Sequence, residues 1–435
     1  MKILCLSTLD KFSRFYLDIE RQLCIHNKTN ISLKIYSIYL SGFLYTFIRF
    51  KFSCWISVKA WLLVRRKKAY YKKLIKETTQ YKGVLYNDCI QFHIGLNKNI
   101  SSTSLQLQAL AYLDIFDHIF TKEQPDFLIS IGDSRLCIEI AVALAKKKNI
   151  QIYYIEQGPF NTTFFDSEGV NANLSMRNRT DFNSNTKSNF TSDFNLNSKS
   201  IKYKRSPIYR GLDILLMSLF ERCRVYPPDL RFTDLNSSGF HKSKPRKSIA
   251  IKKSHHPIML LILQVPLDVN MIYHSPIFKS HTEIIKNIYA NLPIKTKLLV
   301  REHPLYINKY ERSLYDFVKA NDISIDNNTS LKTALKKANV VIVNNSTVGI
   351  EAILNYKTTV VLGNAFYDCA PICLKLKTID ELGILLEKAL SYSPNKEAIN
   401  HFKNLLFTKV LLEGNIADKH LKSSKHIANH LLAYH

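Results

Sequence analysis

Four clusters of polar residues have types that could move a proton, attack a carbon or hold a phosphate. The first is Gly132-Asp133-Ser134-Arg135; the second is Glu156-Gln157-Gly158, followed by Glu168-Gly169-Val170-Asn171. A carboxylate beside a glycine, where the backbone is approachable, can act as base or nucleophile. Asp133, Glu156 and Glu168 are the candidates, with Arg135 and Asn171 beside them as contacts for a sugar or an acceptor. The third cluster gathers Gln264, Asp268, Asn270, His274 and Ser275 on one short loop, where function often sits. The fourth pairs Arg301-Glu302-His303-Pro304 with Asn344-Asn345-Ser346-Thr347-Val348-Gly349. A helix starting at Ser346 or Thr347 would offer N–H groups and a dipole to an anion, and Arg301 and His303 would add donors. Plainer readings stand beside these. Asp133, Ser134 and Ser346 could cap helices, Glu156 could be a strand-end acid, and Asp268 could form a turn.

The elements that must position these residues follow from periodicity. Apolar runs predict strands at 2–6, 32–39, 126–131 and 150–156, with helices at 7–23 and 136–148. A second set begins near Pro257. It has strands at 258–265, 297–301, 340–343 and 358–362, and helices at 281–292, 330–337, 348–355 and 379–391. Alternating β and α elements mean parallel sheets with helices on their faces. All four clusters fall at strand ends, where open α/β sheets bind ligands. The economical reading is an α/β chain of GT-B-like layout, with two Rossmann-like domains facing a central cleft. The first is 1–245, with a flexible Asn/Ser-rich loop at 171–200; the second is 246–435, with C-terminal helices. The loop is too polar to offset its ordering entropy. It reads either as a surface insertion or as a lid. The basic stretch 240–256 reads as the linker.

With 435 residues, 46% hydrophobic and 22% charged, the chain is globular rather than disordered, collagenous or a disulfide scaffold. Its 61 basic residues against 35 acidic ones favour an anionic partner: nucleic acid, a membrane surface or a phosphorylated substrate. Residues 43–76 hold ten Lys/Arg, no acid and both tryptophans, Trp55 and Trp61. Two readings are open for this segment. One is a core-packing helix with a solvated basic face, the other an interfacial helix on anionic lipid. No nucleic-acid motif accompanies the charge. The eight cysteines form no CxxC pair, which argues against a zinc ribbon and for reduced cysteines in the cytosol. The first apolar run ends at Leu6, and no apolar stretch reaches the ~18 residues of a spanning helix. The expectation is a cytoplasmic protein, free or on a membrane surface.

These motifs together resemble the capsule polysaccharide biosynthesis proteins of Gram-negative bacteria, a family of β-Kdo transferases. The likeness is to its single-module member, which adds the first Kdo to phosphatidylglycerol. The matching stretches are GDSR at Gly132, IEQG at Ile155, EGVNANLS at Glu168, LQVPLDVNMIYHSP at Leu263 and REHP at Arg301. They continue with VNNSTVGIEAI at Val343, LGNAFYD at Leu362 and LLEGN at Leu411. The resemblance implies a GT-B-like fold, a CMP-Kdo donor held mainly by the second domain, and neither metal nor further cofactor. It implies that His303, with Arg301, Asn345, Ser346, Thr347 and Gly349, holds the nucleotide phosphate. Gln264, Asp268, Asn270, His274 and Ser275 would line the sugar or acceptor side. Glu156 would stand at the catalytic carboxylate position, with Asp133 and Glu168 as alternatives. It also implies an anionic lipid acceptor, the inner face of the inner membrane, and other capsule biosynthesis or export proteins as partners. The sequence departs from the pattern at Glu156-Gln157, where two acids or an acid and an Asn are usual. It departs again at Pro159-Phe160-Asn161, where Arg-Pro is usual. Transfer of another sugar, such as sialic acid, and a non-catalytic assembly or export role on the same fold are the alternatives.

Overall fold

The computed structural model of the chain describes residues 1–26, 31–97, 99–178, 200–222, 227–230 and 256–434. Most of the 171–200 loop and the 240–256 linker lie outside the described residues. The chain divides into two units. The first holds the described residues of 1–170, 191–236 and 407–435, and the second those of 171–190 and 237–406.

The first unit contains β1 (Lys2–Ser7), β2 (Ser32–Ser37), β3 (Ser53–Trp55), the small ribbon β4 (Gln80–Tyr81) and β5 (Val84–Leu85), then β6 (Phe127–Ile131), β7 (Gln151–Gln157) and β8 (Thr162–Asp166). The second contains β9 (Ile258–Ile262), β10 (Lys297–Arg301), β11 (Ser324–Ile325), β12 (Val340–Val343), β13 (Thr358–Val361) and β14 (Leu374–Lys375). A last strand, β15 (Leu411–Glu413), returns to the first unit.

In the first sheet the order is β15-β8-β7-β6-β1-β2-β3. Strands β7, β6, β1, β2 and β3 are parallel; β8 runs antiparallel to β7, and β15 antiparallel to β8. Ile3, Leu4, Cys5 and Leu6 are all buried although they alternate between faces. A strand covered on both sides must read as a continuous apolar run, and β1 does. Helix Asp10–His26 buries Phe12, Phe15, Tyr16, Ile19 and Leu23 against this sheet, together with Ile427, Ala428 and Leu431 of helix Lys422–Ala433. The segment from Phe407 onward is therefore part of the first unit, not of the second as the sequence reading has it. Leu411 and Leu412 extend the first sheet through β8, and the last helix packs on the first.

The second sheet has the order β11-β10-β9-β12-β13-β14, all parallel. Counted within the unit this is 3-2-1-4-5-6, the doubly wound dinucleotide-binding order. Helix His281–Ala290 lays Ile284, Ile285 and Ile288 on one face. The strand order reverses between β9 and β12 here, and between β1 and β6 in the first unit. Ligands of such sheets bind outside the carboxyl ends at that reversal.

The basic aromatic segment resolves into three elements: helix Leu40–Phe47, β3 and helix Ile56–Glu77. Its inner side is packing. The Trp55 indole N–H donates to the Ile38 carbonyl at 2.9 Å, and buried Tyr71 donates to Asp114 at 2.7 Å. Asp114 belongs to helix Ser102–Glu123, which is buried on nearly all sides. Among the described residues no helix is long and apolar enough to cross a membrane. The described cysteines are unpaired, and burial pushes the thiols of Cys5, Cys137 and Cys373 well up, so they act as packing groups.

Candidate functional site

The second unit gathers its candidates where β9 and β12 end. Gln264 follows β9 and Asn345 follows β12, and the Asn345 N–H donates to Gln264 Oε1 at 3.3 Å. Asn345 Nδ2 donates to the carbonyls of Asn270 and His274, both at 2.9 Å. Asn345 thus braces the 264–275 loop against the neighbouring strand end. Gly363, after β13, completes the brace. Its N–H donates to the Asn344 carbonyl at 2.8 Å, and a Cβ there would come within 2.6 Å of Asn344 Oδ1. Only glycine permits that approach.

Three side-chain atoms in this cluster are buried without a protein partner among the described residues: Gln264 Nε2, His274 Nε2 and Asn345 Oδ1. A buried polar atom left unpaired costs about 1–3 kcal/mol, so three at one strand-order reversal make this edge a candidate place for a polar ligand. Burial, reinforced by the Arg177 charge, pushes His274 down to about 4, so it presents a neutral ring. Arg177 is itself held by Asp368, with Nε and Nη2 each donating at 2.9 Å. The segment 171–178, including the candidate Asn171, groups with this unit.

His303 sits half-buried after β10. Its Nδ1 accepts the Leu305 N–H at 3.3 Å, which leaves Nε2 as the protonated, donating nitrogen of the neutral ring. Burial lowers its pKa. Its backbone N–H donates to the Tyr310 hydroxyl at 3.0 Å, and that hydroxyl donates to the Gln264 carbonyl at 3.0 Å. Tyr310 therefore ties the end of β10 to the end of β9. Buried Glu302 holds the loop from below. It accepts from the Tyr315 hydroxyl, from Asn327 Nδ2 at 2.5 Å and from the Asn308 N–H at 3.0 Å.

Several expected roles shift. Arg301 donates Nη1 to the carbonyls of Asp326 (3.2 Å) and Thr329 (2.6 Å), so it organises its own unit's loop. Asp268 caps the short helix Val269–Ile272, accepting from Asn270 and Met271. Ser275 donates to the Phe278 carbonyl at 2.5 Å, an internal turn bond. Ser346 accepts the Val348 N–H at 3.3 Å, and Thr347 is exposed. The helix they start, Val348–Leu354, has only seven residues, so its dipole is weak. Gly349 leaves room for Tyr367 rather than for phosphate: the Tyr367 ring fills the space beside it, and its hydroxyl donates to the Ser346 carbonyl.

In the first unit, Gly132 and Glu156 meet at the ends of β6 and β7. The Gly132 N–H donates to the Ile155 carbonyl at 3.0 Å with φ +73°, and Glu156 Oε2 lies 3.6 Å from where a Cβ would stand. Burial raises the Glu156 pKa. The Gln157 N–H (2.8 Å) and the charge of Lys11 act against that rise, and nearby Asp133 adds to it. Asp133 accepts the Val170 N–H at 3.2 Å. Arg135 donates to the Tyr39 hydroxyl at 3.2 Å. Two acids of one neighbourhood thus face basic groups at the carboxyl edge. Glu168 is exposed, in a turn organised by Asp166, which accepts the N–H groups of Glu168 (2.8 Å) and Gly169 (3.3 Å). The sequence reading gave no role to Tyr310, Glu302, Tyr367, Arg177 with Asp368, or Lys11, although Glu302, Tyr367 and Asp368 stand inside stretches it quotes. Aromatic and charged residues are common everywhere, and only their distant partners give these meaning.

Residues 237–381 match the family model described as capsule polysaccharide biosynthesis protein. That stretch carries the Gln264, His274, His303 and Asn345 cluster. The protein FixF of Sinorhizobium fredii is 26% identical over 159 residues, which is 36% of this chain and 38% of that protein. The chain thus matches well under half the length of this curated relative. Among solved structures, the β-Kdo 2,7 transferase KpsC of Thermosulfurimonas dismutans overlays with a TM-score of 0.35 and 16% identity, covering 63% of this chain and 79% of that one. The UDP-GlcNAc 2-epimerase of Methanocaldococcus jannaschii overlays with a TM-score of 0.35 and 14% identity over the whole of both chains. Likeness at this level carries no argument about substrate.

Proposed function

We propose that this chain is a glycosyltransferase of capsule polysaccharide assembly, moving Kdo from CMP-Kdo to a lipid acceptor. The observation that supports it is the trio of unpaired buried polar atoms on Gln264, His274 and Asn345. They lie at the reversal of a dinucleotide-type sheet, inside the stretch that matches the capsule family. In this reading, negative charge develops on the departing CMP as the sugar–phosphate bond breaks. His303 meets it with a preorganised Nε2–H, aimed by the Leu305 and Tyr310 bonds rather than by reorganisation during the reaction. The amides of Gln264 and Asn345 and the neutral His274 ring contact the donor's polar edges. Glu156, with Asp133, is the carboxylate we assign to the transfer step, as base or nucleophile.

Calorimetric titration with CMP tests the donor site. The wild-type protein should bind CMP in preference to UMP, and Asn345→Ala should weaken binding by about tenfold or more, the scale of a lost buried hydrogen-bond set. Equal, weak binding of both nucleotides by wild type and variant would refute the assignment.

A further inference from the structure

We propose that the first unit docks on an anionic lipid bilayer, through the 47–52 loop and a basic pocket that the loop borders. The loop leaves helix Leu40–Phe47 and enters the amino end of β3. It therefore lies at the opposite edge of the first sheet from the carboxyl ends of β1 and β2.

The loop is built to display apolar side chains. Phe50 is 98% exposed, Phe47 60% and Ile48 57%. Phe50 also sits at φ +54°, a left-handed conformation in which bulky residues are rare and which asparagine or glycine would adopt more easily. The turn is held: the Phe50 N–H donates to the Phe47 carbonyl at 3.0 Å, and the Lys51 N–H to the Thr46 carbonyl at 3.3 Å. A strained, fully exposed phenylalanine on an anchored turn points to function rather than packing. Helix Pro207–Arg222 adds to the patch. It runs antiparallel to helix Leu40–Phe47, since the Ser41 N–H meets Asp213 and the Tyr45 ring meets Tyr209. That register places Ile208, 69% exposed, opposite Thr46 at the same end.

Beside the loop lies a pocket of about 760 Å³ lined by Arg14, Arg21, Arg49, Lys419, Lys422 and Lys425. Asp18 answers Arg21 at 2.7 Å, and Glu413 answers Lys422 at 2.7 Å. Among the described residues no carboxylate forms an ion pair with Arg49, Lys419 or Lys425, and Asp18 and Asp418 act on Arg14 without a direct ion pair. Arg49 lies over the Tyr45 ring at 3.7 Å and donates to the Tyr45 carbonyl at 2.9 Å. Arg14 lies over Tyr203 at 4.0 Å and donates to the carbonyls of Ile416 and Lys419, each at 3.3 Å. Rings and carbonyls fix these guanidinium groups in place, and the Arg49 charge above all is left for an outside anion. A free phosphate would use the pocket and ignore the apolar tip, and nucleic acid has no use for Ile48 and Ile208. An anionic bilayer uses both, taking the apolar side chains into its interface and the cations at its headgroups.

The test needs no sugar donor, so its failure is separate from failure of the transferase reading. The full chain is co-sedimented with vesicles of phosphatidylcholine alone and of equal parts phosphatidylcholine and phosphatidylserine. Phosphatidylserine supplies the charge without offering a glycerol acceptor. Binding should require the anionic lipid and weaken as salt rises. Phe47→Ser with Phe50→Ser should lower partitioning by about tenfold or more. Arg49→Glu with Lys425→Glu should lower it by at least about tenfold and flatten the salt dependence. Thermal unfolding checks that each variant folds, and the exposed phenylalanine pair carries the test if the charge pair does not fold. Equal binding to neutral and anionic vesicles, or full binding by the folded phenylalanine variant, would overturn the proposal. So would phosphate or oligonucleotide binding without vesicle binding.

Discussion

Removing one oxygen atom from Tyr310 should loosen the second unit's site without altering its shape. The hydroxyl accepts the His303 N–H at 3.0 Å and donates to the Gln264 carbonyl at 3.0 Å, inside a residue that is 8% exposed. In Tyr310→Phe the ring stays, still edge-on to His281 at 5.0 Å between centroids, so packing is conserved. What changes is that a donor on the His303 loop and an acceptor on the Gln264 loop lose their partner together. Each buried group left unpaired costs about 1–3 kcal/mol. The loss of stability should be about 2–4 kcal/mol, and CMP affinity should fall about tenfold as the two loops lose their common tie. Urea denaturation and CMP titration of the full chain measure both. Tyr289→Phe is the control, since that ring lies at the surface, edge-on to Phe317. If Tyr310→Phe matched wild type to within about 0.5 kcal/mol and bound CMP equally, the hydroxyl would not be the tie described here.

Three further outcomes follow from titratable groups held in or near the core. Burial pushes His93 and His281 down to about 3 and His274 to about 4. Below their ordinary value of 6.5 the unfolded chain binds protons that the folded chain refuses, so stability should fall on acidification by about 1.4 kcal/mol per histidine per pH unit. Denaturation midpoints that stay flat between about pH 6.5 and pH 5 would contradict this. Asp10 is fully buried and paired with Arg205, so Asp10→Asn should destabilise the first unit by about 3–5 kcal/mol, and an unchanged unfolding midpoint would contradict that. Glu156 has a raised pKa, which makes its ionised form costly above its ordinary range and leaves the neutral form favoured below it. Glu156→Gln should therefore hold or raise stability at neutral pH while lowering transfer by on the order of 10²-fold. An active variant, or an unfolded one, would count against the assignment.

The two units were legible because β1, β9 and β12 are buried on both faces and are written as nearly unbroken apolar runs. Helix Ser102–Glu123 was not legible. Leu105, Leu107, Leu110 and Leu113 point in different directions around the helix and are all buried, so no single stripe forms. The short strand β15 lies far along the chain from its partner β8, and three residues carry no period that could announce it. In the site, Gln264, His274, Asn345 and His303 were legible as polar residues at strand ends. Asp268 and Ser346 were legible too, but local hydrogen bonds claim them as caps. The Tyr310 tie and the Arg177–Asp368 pair join residues dozens of positions apart or more, and no local pattern announces them. The basic aromatic run divides in the fold. Trp55 and Tyr71 face inward, and Phe47, Ile48 and Phe50 face out.

The measurement closest to the central claim is release of CMP from freshly made CMP-Kdo, with and without a phosphatidylglycerol acceptor, comparing wild type with His303→Ala. Acceptor-dependent release that falls by on the order of 10²-fold in a folded His303→Ala protein is the predicted result. Release that is absent from wild type, or undiminished in the variant, would contradict it.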